Sequence, residues 1–232
     1  MIAEGFSPAL KPMIKYRGGK SRELNHLLEW VPDTFDRYIE PFFGGGALYF
    51  AIAPDNAVIN DLNVRLMSFY SDVANNYCRM RTELDEIESM YESNRRDYEA
   101  LKQQFPDERV PDANEAMYYS IRAQFNGLES TSLLAGTLYY YINKTAYSGM
   151  IRYNNNGEFN VPYGRYKHFN TRIITEKHSV LLRSATRMNT DFENVLAECG
   201  PDDFVFLDPP YDSPFSNYGN EATKNGFSED DH

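Results

Sequence analysis

The segment Asp208-Pro209-Pro210-Tyr211 directly follows an apolar run at residues 204–207. In an open parallel sheet, ligands bind at the carboxyl ends of the strands, so a carboxylate at this position faces a crevice. Two consecutive prolines fix the backbone and remove two N–H donors, which leaves carbonyl oxygens available to a substrate. A tyrosine adds a flat face for stacking. The alternative interpretation is a surface turn, which the preceding apolar strand disfavours.

This segment suits a planar heterocycle that carries an amino group. Asp208 and the Pro209 carbonyl would accept its two N–H hydrogens, and Tyr211 would stack on the ring. An aromatic amine is a weak nucleophile because its lone pair is delocalised, and two acceptors favour a pyramidal nitrogen that can attack. Stabilisation that grows with positive charge on nitrogen acts on the transition state. We therefore predict that Asp208, Pro209, Pro210 and Tyr211 are catalytic.

A glycine turn, Gly44-Gly45-Gly46, follows residues 40–43 and precedes an apolar stretch. Glycines let a ligand approach the backbone closely at a turn between strand and helix, although a helix-packing turn has the same composition. Asp61 ends a second apolar strand, residues 57–61, where nucleotide-type folds bind a ribose diol. The turn lacks a spaced phosphate cradle, so an adenosyl ligand without pyrophosphate fits better than a nicotinamide cofactor.

The basic segment at residues 15–20 precedes the first predicted strand. We predict a loop that closes over the cofactor, with Lys20 near a carboxylate and Tyr16 packing nearby. The alternative is a flexible, solvated lead-in. Two cysteines cannot form a disulfide framework or a zinc site alone, and the four histidines show no pairing. We therefore predict no metal site.

The elements that position these residues form a βαβ unit, which implies an α/β fold with a parallel sheet. A strand at 37–43, the glycine turn, a helix at 47–52 and a strand at 57–61 compose it. The chain then becomes helical and charged to about residue 105, and a hairpin-type turn follows at 154–157. The sheet pattern returns after about residue 178, and its three predicted segments are residues 180–182, 188–192 and 203–208.

We interpret the chain as one catalytic domain, residues 1–76 and 178–232, interrupted by an insert at 77–177. Its 232 residues, 42% hydrophobic and 25% charged, are typical of globular proteins. The net charge of −11 argues against a simple polyanion binder, but residues 11–22 hold five basic residues and no acid. A basic surface is therefore compatible with the sequence, and a mixed, solvated surface is the alternative.

Compartment and membrane association are also constrained by the sequence. No uninterrupted apolar run approaches the roughly 20 residues that span a bilayer. The first ten residues contain no basic leader, so we expect no secretory signal. The expected location is cytoplasmic, or the compartment that holds the target DNA.

Five segments in order resemble the Dam-like, D12 class family of adenine-specific DNA methyltransferases, which use S-adenosylmethionine. They are residues 16–20, 40–47, 59–63, 191–192 and 208–211. The resemblance implies a Rossmann-like methyltransferase sheet. It also implies a set of residues that bind S-adenosylmethionine: Tyr16, Lys20, Glu40, Pro41, Phe42, Gly44, Gly46, Asp61, Asp191, Phe192 and Asp208.

The insert resembles the family's DNA-recognition module, with a hairpin that starts at 142–154 and returns at 158–166. The resemblance implies that Arg152 recognises a guanine edge, for which arginine is the preferred bidentate partner. A phosphate contact is the alternative role for Arg152. The implied DNA-binding residues are Lys15, Lys144, Tyr147, Met150, Arg152, Pro162 and Arg165. GATC is the natural target prediction, although Ser148 replaces the usual asparagine and the stretch 124–140 is long.

The predicted function is site-specific transfer of a methyl group to adenine N6 in double-stranded DNA, with the target base flipped into the pocket. The family pattern continues beyond the catalytic segment, whereas this sequence ends soon after Tyr211. We therefore also expect a second chain that supplies further strands, or an impaired fragment that only binds DNA or cofactor. Another alternative is methylation of a different planar nitrogen, in RNA or a protein amide. Restriction, mismatch marking and viral self-protection all remain compatible biological roles.

Overall fold

The computed structural model describes residues 9–210. A four-stranded parallel sheet organises the part that carries the predicted site, in the order β3-β2-β1-β4. The strands are β1 (Tyr38–Glu40), β2 (Ala57–Asn60), β3 (Thr186–Met188) and β4 (Phe204–Val205). Because all four run the same way, their carboxyl ends share one edge of the sheet.

The helices beside this sheet follow the predicted βαβ order. A 3-10 helix at Lys20–Arg22 and α1 (Leu24–Leu28) precede β1, and α2 (Ala47–Ile52) joins β1 to β2. Next comes α3 (Val64–Asn75), which begins where the Asn63 side chain accepts a hydrogen bond from the backbone of Leu66. Such N-caps satisfy a backbone donor that the helix itself leaves without a partner.

Three helices occupy the predicted insert: α4 (Tyr77–Gln104), α5 (Ala113–Phe125) and α6 (Ala135–Thr145). Helix α6 packs on α3, and the Phe69 ring stacks against Tyr139 and Tyr140 at centroid distances of 5.6 and 6.1 Å. All three rings are buried and belong to one hydrophobic core cluster. The insert thus shares its core with the flanking segments.

A short hairpin follows α6, as the sequence predicts. Antiparallel bridges join Ala146 to Tyr163 and Tyr153 to Phe159. At its turn, Gly157 has φ +77° and its N–H donates to the Asn154 carbonyl at 3.0 Å. A residue without a Cβ adopts this left-handed conformation at little cost, so the turn prediction at 154–157 is confirmed.

The prediction of sheet structure at residues 180–182 is wrong. Those residues lie in α7 (Glu176–Ser184), which begins with a capping box between Thr175 and His178. Within α7, Leu182 is buried and Val180 exposed, which is a helical pattern; a three-residue apolar run cannot distinguish the two structures by itself.

The segment predicted at 188–192 is likewise only partly strand. Strand β3 ends at Met188, and Asp191 caps α8 (Phe192–Leu196). Aspartate at an N-cap accepts backbone hydrogen bonds, and here it ends the extended segment early. Within residues 9–210, no helix combines the length and apolar character that crossing a membrane requires.

Candidate active site

Three carboxylates lie at or just beyond the carboxyl ends of neighbouring strands: Glu40 on β1, Asp61 after β2 and Asp208 after β4. Glu40 is 3% exposed, and the Tyr38 hydroxyl donates a hydrogen bond to its Oε2 at 2.7 Å. Burial raises the pKa of Glu40 well above its usual range, because desolvation disfavours the charged form. The Tyr38 hydrogen bond opposes this shift, whereas Asp208 and Asp61 add to it.

Asp61 is hydrogen-bonded to the backbone of the glycine turn and to the backbone just before α3. Its two carboxylate oxygens accept hydrogen bonds from the N–H groups of Gly44 at 2.9 Å and Asn63 at 2.8 Å. Burial raises the pKa of Asp61, and these two hydrogen bonds act in the opposite direction. Tyr70 donates to the Gly44 carbonyl at 2.8 Å. The glycine turn is therefore anchored to both β2 and α3.

The Tyr16 ring lies directly on the glycine turn. A Cβ at Gly44 would come within 2.9 Å of Tyr16 Cδ1, and Gly44 has φ +47°. Both the space and the backbone conformation thus require glycine. Burial raises the pKa of Tyr16, and the nearby Asp61 charge raises it further, so the hydroxyl stays protonated. The basic segment at 15–20 therefore packs against the predicted cofactor turn.

The side chain of Lys20 reaches the predicted catalytic carboxylate. Its Nζ lies 2.7 Å from Asp208 Oδ1, and the two side chains are 12% and 23% exposed. Asp208, Pro209 and Pro210 are each partly buried and follow β4 after two intervening residues. Tyr211 lies outside the described residues.

Two aromatic rings form another wall near this edge. Phe42 and Phe192 lie 5.1 Å apart between ring centroids. Asp191, beside them, accepts a hydrogen bond from the Glu193 N–H at 3.0 Å as the cap of α8. Of the predicted adenosyl-binding pair, Phe192 thus provides a ring beside Phe42, and Asp191 provides a carboxylate that caps α8.

Asn60, which sequence reasoning missed, connects the segments that carry these rings. Its Nδ2 donates to the carbonyls of Pro41 at 2.9 Å and Thr190 at 3.0 Å, and its Oδ1 accepts from the Thr190 N–H at 2.9 Å. The side chain is 1% exposed. The available signal was an asparagine at the end of an otherwise apolar strand, because a buried amide needs partners.

The predicted DNA-binding lysines lie together on another part of the surface. Lys15 Nζ is 5.2 Å from the centroid of the Tyr166 ring, and Lys144 Nζ is 5.3 Å from that of Tyr140. Burial and the nearby Lys15 charge lower the pKa of Lys144 to about 8. Two cations on aromatic faces make a local positive region on an acidic protein, which is suited to an anion.

The hairpin presents apolar and basic side chains to solvent. Tyr147 and Met150 are 55% and 42% exposed. Arg152 and Pro162 are exposed as well. The Arg152 Nε donates to Asn160 Oδ1 at 2.9 Å, across the two arms of the hairpin. This hydrogen bond orients the guanidinium while leaving its terminal nitrogens on the exposed surface.

Arg165 differs from the other predicted DNA-binding residues because an acid engages it. Its Nη2 lies 3.0 and 3.2 Å from the two carboxylate oxygens of Glu115 on α5. Exposed ion pairs of this kind contribute roughly 0–1 kcal/mol, so Glu115 competes only weakly with a phosphate.

The chain matches the family model of D12 class N6 adenine-specific DNA methyltransferases over residues 16–232. It is 33% identical over 214 residues to the type II methyltransferase M.CviBI of Paramecium bursaria Chlorella virus NC1A, covering 90% of this chain and 72% of that protein. It is 33% identical to the type II methyltransferase M.MjaIII of Methanocaldococcus jannaschii, covering 96% and 76%. The DNA adenine methylase of Haemophilus influenzae is 27% identical, covering 94% and 72%.

Proposed function

The chain belongs to the D12 class of N6 adenine-specific DNA methyltransferases, and from that membership we propose that it methylates adenine N6 at a specific site in duplex DNA. Family members use S-adenosylmethionine, which we propose as the cofactor here. The observation that carries the proposal is the convergence of Glu40, Asp61 and the Lys20–Asp208 pair at one sheet edge.

The charge of this edge suits the cofactor. S-adenosylmethionine supplies a methyl group on a positively charged sulfonium. Lys20 pairs with Asp208, and Asp61 and buried Glu40 lie at the same edge, so a cation that allows Glu40 to ionise is favoured. At Gly44 the room that a Cβ would fill is taken by the Tyr16 ring, so the missing side chain lets residues 15–20 pack closely on the turn. The four-stranded parallel sheet would then be a Rossmann-like methyltransferase sheet, with the cofactor bound at its carboxyl edge.

The residues at this edge of the sheet have separate proposed roles in holding the cofactor. Asp61 would bind the ribose diol, and its orientation is set by the Gly44 and Asn63 N–H groups. The rings of Phe42 and Phe192 would hold the adenosyl base, with Asp191 beside them. Glu40-Pro41-Phe42 and the turn from Gly44 to Gly46 would contact the methionine part, with Tyr16 packed over the turn.

The catalytic step follows from the residues after β4. The target adenine leaves the duplex, at a cost of roughly a few kcal/mol, to reach the pocket. Asp208 and the Pro209 carbonyl accept the two amino hydrogens, Pro210 keeps the backbone rigid and Tyr211 stacks on the base. Lys20 holds the Asp208 carboxylate in place through its 2.7 Å contact. The nitrogen would take the methyl group as the carbon–sulfur bond breaks and a neutral thioether leaves, and it would then lose one proton. As the nitrogen becomes positive, its attraction to these acceptors grows, which lowers the barrier.

We further propose that residues 77–177 form the DNA-recognition module. Arg152 would contact a guanine edge in the major groove, with exposed Tyr147, Met150 and Pro162 shaping the neighbouring base contacts. Lys15, Lys144 and Arg165 would contribute positive charge near the DNA backbone. GATC is the proposed target sequence. The proposal concerns a single chain, since the comparisons give no support to the second chain that the sequence led us to expect.

The test is methylation of DNA by the purified chain with labelled S-adenosylmethionine. We expect transfer to adenine N6 and protection of GATC sites from a methylation-sensitive nuclease. Asp208→Ala should abolish methylation with little loss of cofactor binding, whereas Asp202→Ala, an exposed acid six positions earlier, should leave activity unchanged. Near-normal turnover of Asp208→Ala would refute the assignment, and methylation of another sequence would correct only the target.

A further inference from the structure

A buried amide holds the backbone of Lys15 from both sides. Asn143 lies in the last turn of α6 and is 1% exposed. Its Nδ2 donates to the Lys15 carbonyl at 2.8 Å, and its Oδ1 accepts from the Lys15 N–H at 3.0 Å. We call this pair of hydrogen bonds the Asn143 clamp. A primary amide is a neutral side chain that can donate and accept at once, so it satisfies both backbone groups without burying a charge.

The position of the clamp connects the two halves of the proposed site. Tyr16 follows Lys15 and packs on the glycine turn at Gly44. The Lys15 side chain extends to the ring of Tyr166, at the end of the hairpin's return segment, and a Cβ at Gly149 would lie 3.1 Å from Lys15 Cδ. On the other side of the clamp, α6 continues directly into the hairpin. One amide therefore sets where the cofactor segment lies relative to the DNA-recognition hairpin.

Another equally buried asparagine provides a matched comparison. Asn114 is also 1% exposed, donates to the Tyr91 carbonyl at 2.9 Å and accepts from Asn94 Nδ2 at 3.0 Å. It joins α4 to α5, and its hydrogen bonds reach none of the proposed cofactor or DNA residues. Asn114 is thus an ordinary structural amide of the same burial and bonding capacity.

We propose that Asn143 is a positioning residue, which rests on the proposed function. It fixes the Lys15 backbone, and through it the Lys15 ammonium on the DNA side and the Tyr16 ring on the cofactor side. Loss of the clamp would then weaken DNA and cofactor binding together, while the residues at Asp208 remain in place. Loss of a purely structural amide would instead lower stability without changing either affinity of the folded protein.

The experiment compares Asn143→Leu with Asn114→Leu in the full chain. Each substitution removes two buried hydrogen bonds of an amide side chain, so both should lower the melting temperature. For Asn143→Leu alone, we expect about a tenfold rise in the Kd for S-adenosylmethionine and in the KM for unmethylated plasmid DNA, as one buried hydrogen-bonding partner is worth about that factor. Active-site titration should show kcat per folded molecule within about twofold of wild type.

A double-mutant cycle with Lys15→Ala tests the coupling separately. If Asn143 acts by placing Lys15, adding Asn143→Asp to Lys15→Ala should raise the KM for DNA much less than Asn143→Asp does in the wild-type chain. Asn143→Asp is nearly isosteric and keeps the acceptor for the Lys15 N–H, so it serves if the leucine variant does not fold.

The outcomes separate the two proposals. Additive effects in the cycle, or affinities in the Asn143 variants equal to those of Asn114→Leu, would overturn the positioning role while wild-type methylation still supported the enzyme assignment. A wild-type chain that bound cofactor but methylated no DNA adenine would refute the proposed function and, with it, the positioning role.

Discussion

Protonation of Glu40 should couple cofactor affinity to pH. Burial, Asp208 and Asp61 keep the pKa of Glu40 well above its usual range, so the apo site holds a proton that an exposed glutamate would release. A cationic cofactor favours the ionised carboxylate and should displace this proton. Affinity for S-adenosylmethionine should therefore increase with pH, starting at the pKa that Glu40 has in the complex.

The size of the effect follows from proton linkage. Release of one proton per bound cofactor gives up to about a tenfold gain in affinity for each pH unit between the pKa of Glu40 in the complex and in the apo chain. Glu40→Gln removes this dependence, because glutamine does not titrate. Tyr38→Phe removes the hydrogen bond that lowers the Glu40 pKa, so it should move the rise in affinity to higher pH.

Calorimetric titration in two buffers of different ionisation enthalpy measures the released protons directly. The range from about pH 5 to 7 is suitable, because it lies below the range of about 7.7–8.0 in which an α-amino group, such as that of the cofactor's methionine part, titrates. Wild type should release protons and Glu40→Gln should not. A flat affinity profile for wild type, or identical profiles for wild type and Glu40→Gln, would refute the linkage.

The same shift predicts how stability depends on pH. Folding raises the pKa of Glu40. The contribution of this residue to the free energy of unfolding is therefore complete below its pKa in the unfolded chain and is lost as pH rises toward its pKa in the folded chain. Glu40→Gln should consequently be less sensitive to pH over that interval, as measured by the melting temperature without cofactor.

Three further predictions concern the glycine turn and the DNA surface. Gly44→Ala should weaken cofactor binding about tenfold or more by displacing Tyr16, whereas Gly127→Ala, at φ +73° in open space, should cost only about 1 kcal/mol of stability in denaturant unfolding. Lys144 has a pKa of about 8, so DNA affinity should fall as pH rises through 8, and Lys144→Arg should abolish that fall in fluorescence anisotropy titrations. Arg152→Ala should cost roughly 1–3 kcal/mol of discrimination at one base pair, measured as kcat/KM on duplexes altered there; a uniform loss on all duplexes would indicate a phosphate contact instead.

The candidate site was predicted from residues whose positions depend on local order. The glycine turn, Asp61 and Asp208 each come within a few residues of the end of a strand, and parallel strands bring their carboxyl ends to one edge. The βαβ unit and the hairpin turn were predictable for the same reason, because each depends on residues that are near neighbours in the chain.

Contacts between distant segments could not be predicted in this way. The amides of Asn60 and Asn143 meet backbone groups 130 and 128 positions away, and no local pattern indicates such partners. The strand prediction at 180–182 failed because three apolar residues fit either a strand or one face of α7. The pairing of Arg165 with Glu115 likewise depends on how the hairpin lies on α5.

The position of β1 between β2 and β4 affects how the protein can assemble. β2 follows β1 closely along the chain, but β4 is made only after α3, the insert and α8. Until then, one side of β1 lacks its ladder partner, and exposed strand edges of this kind favour aggregation. During translation, that side of β1 therefore gains its ladder partner only after residues 204–205 have been synthesised.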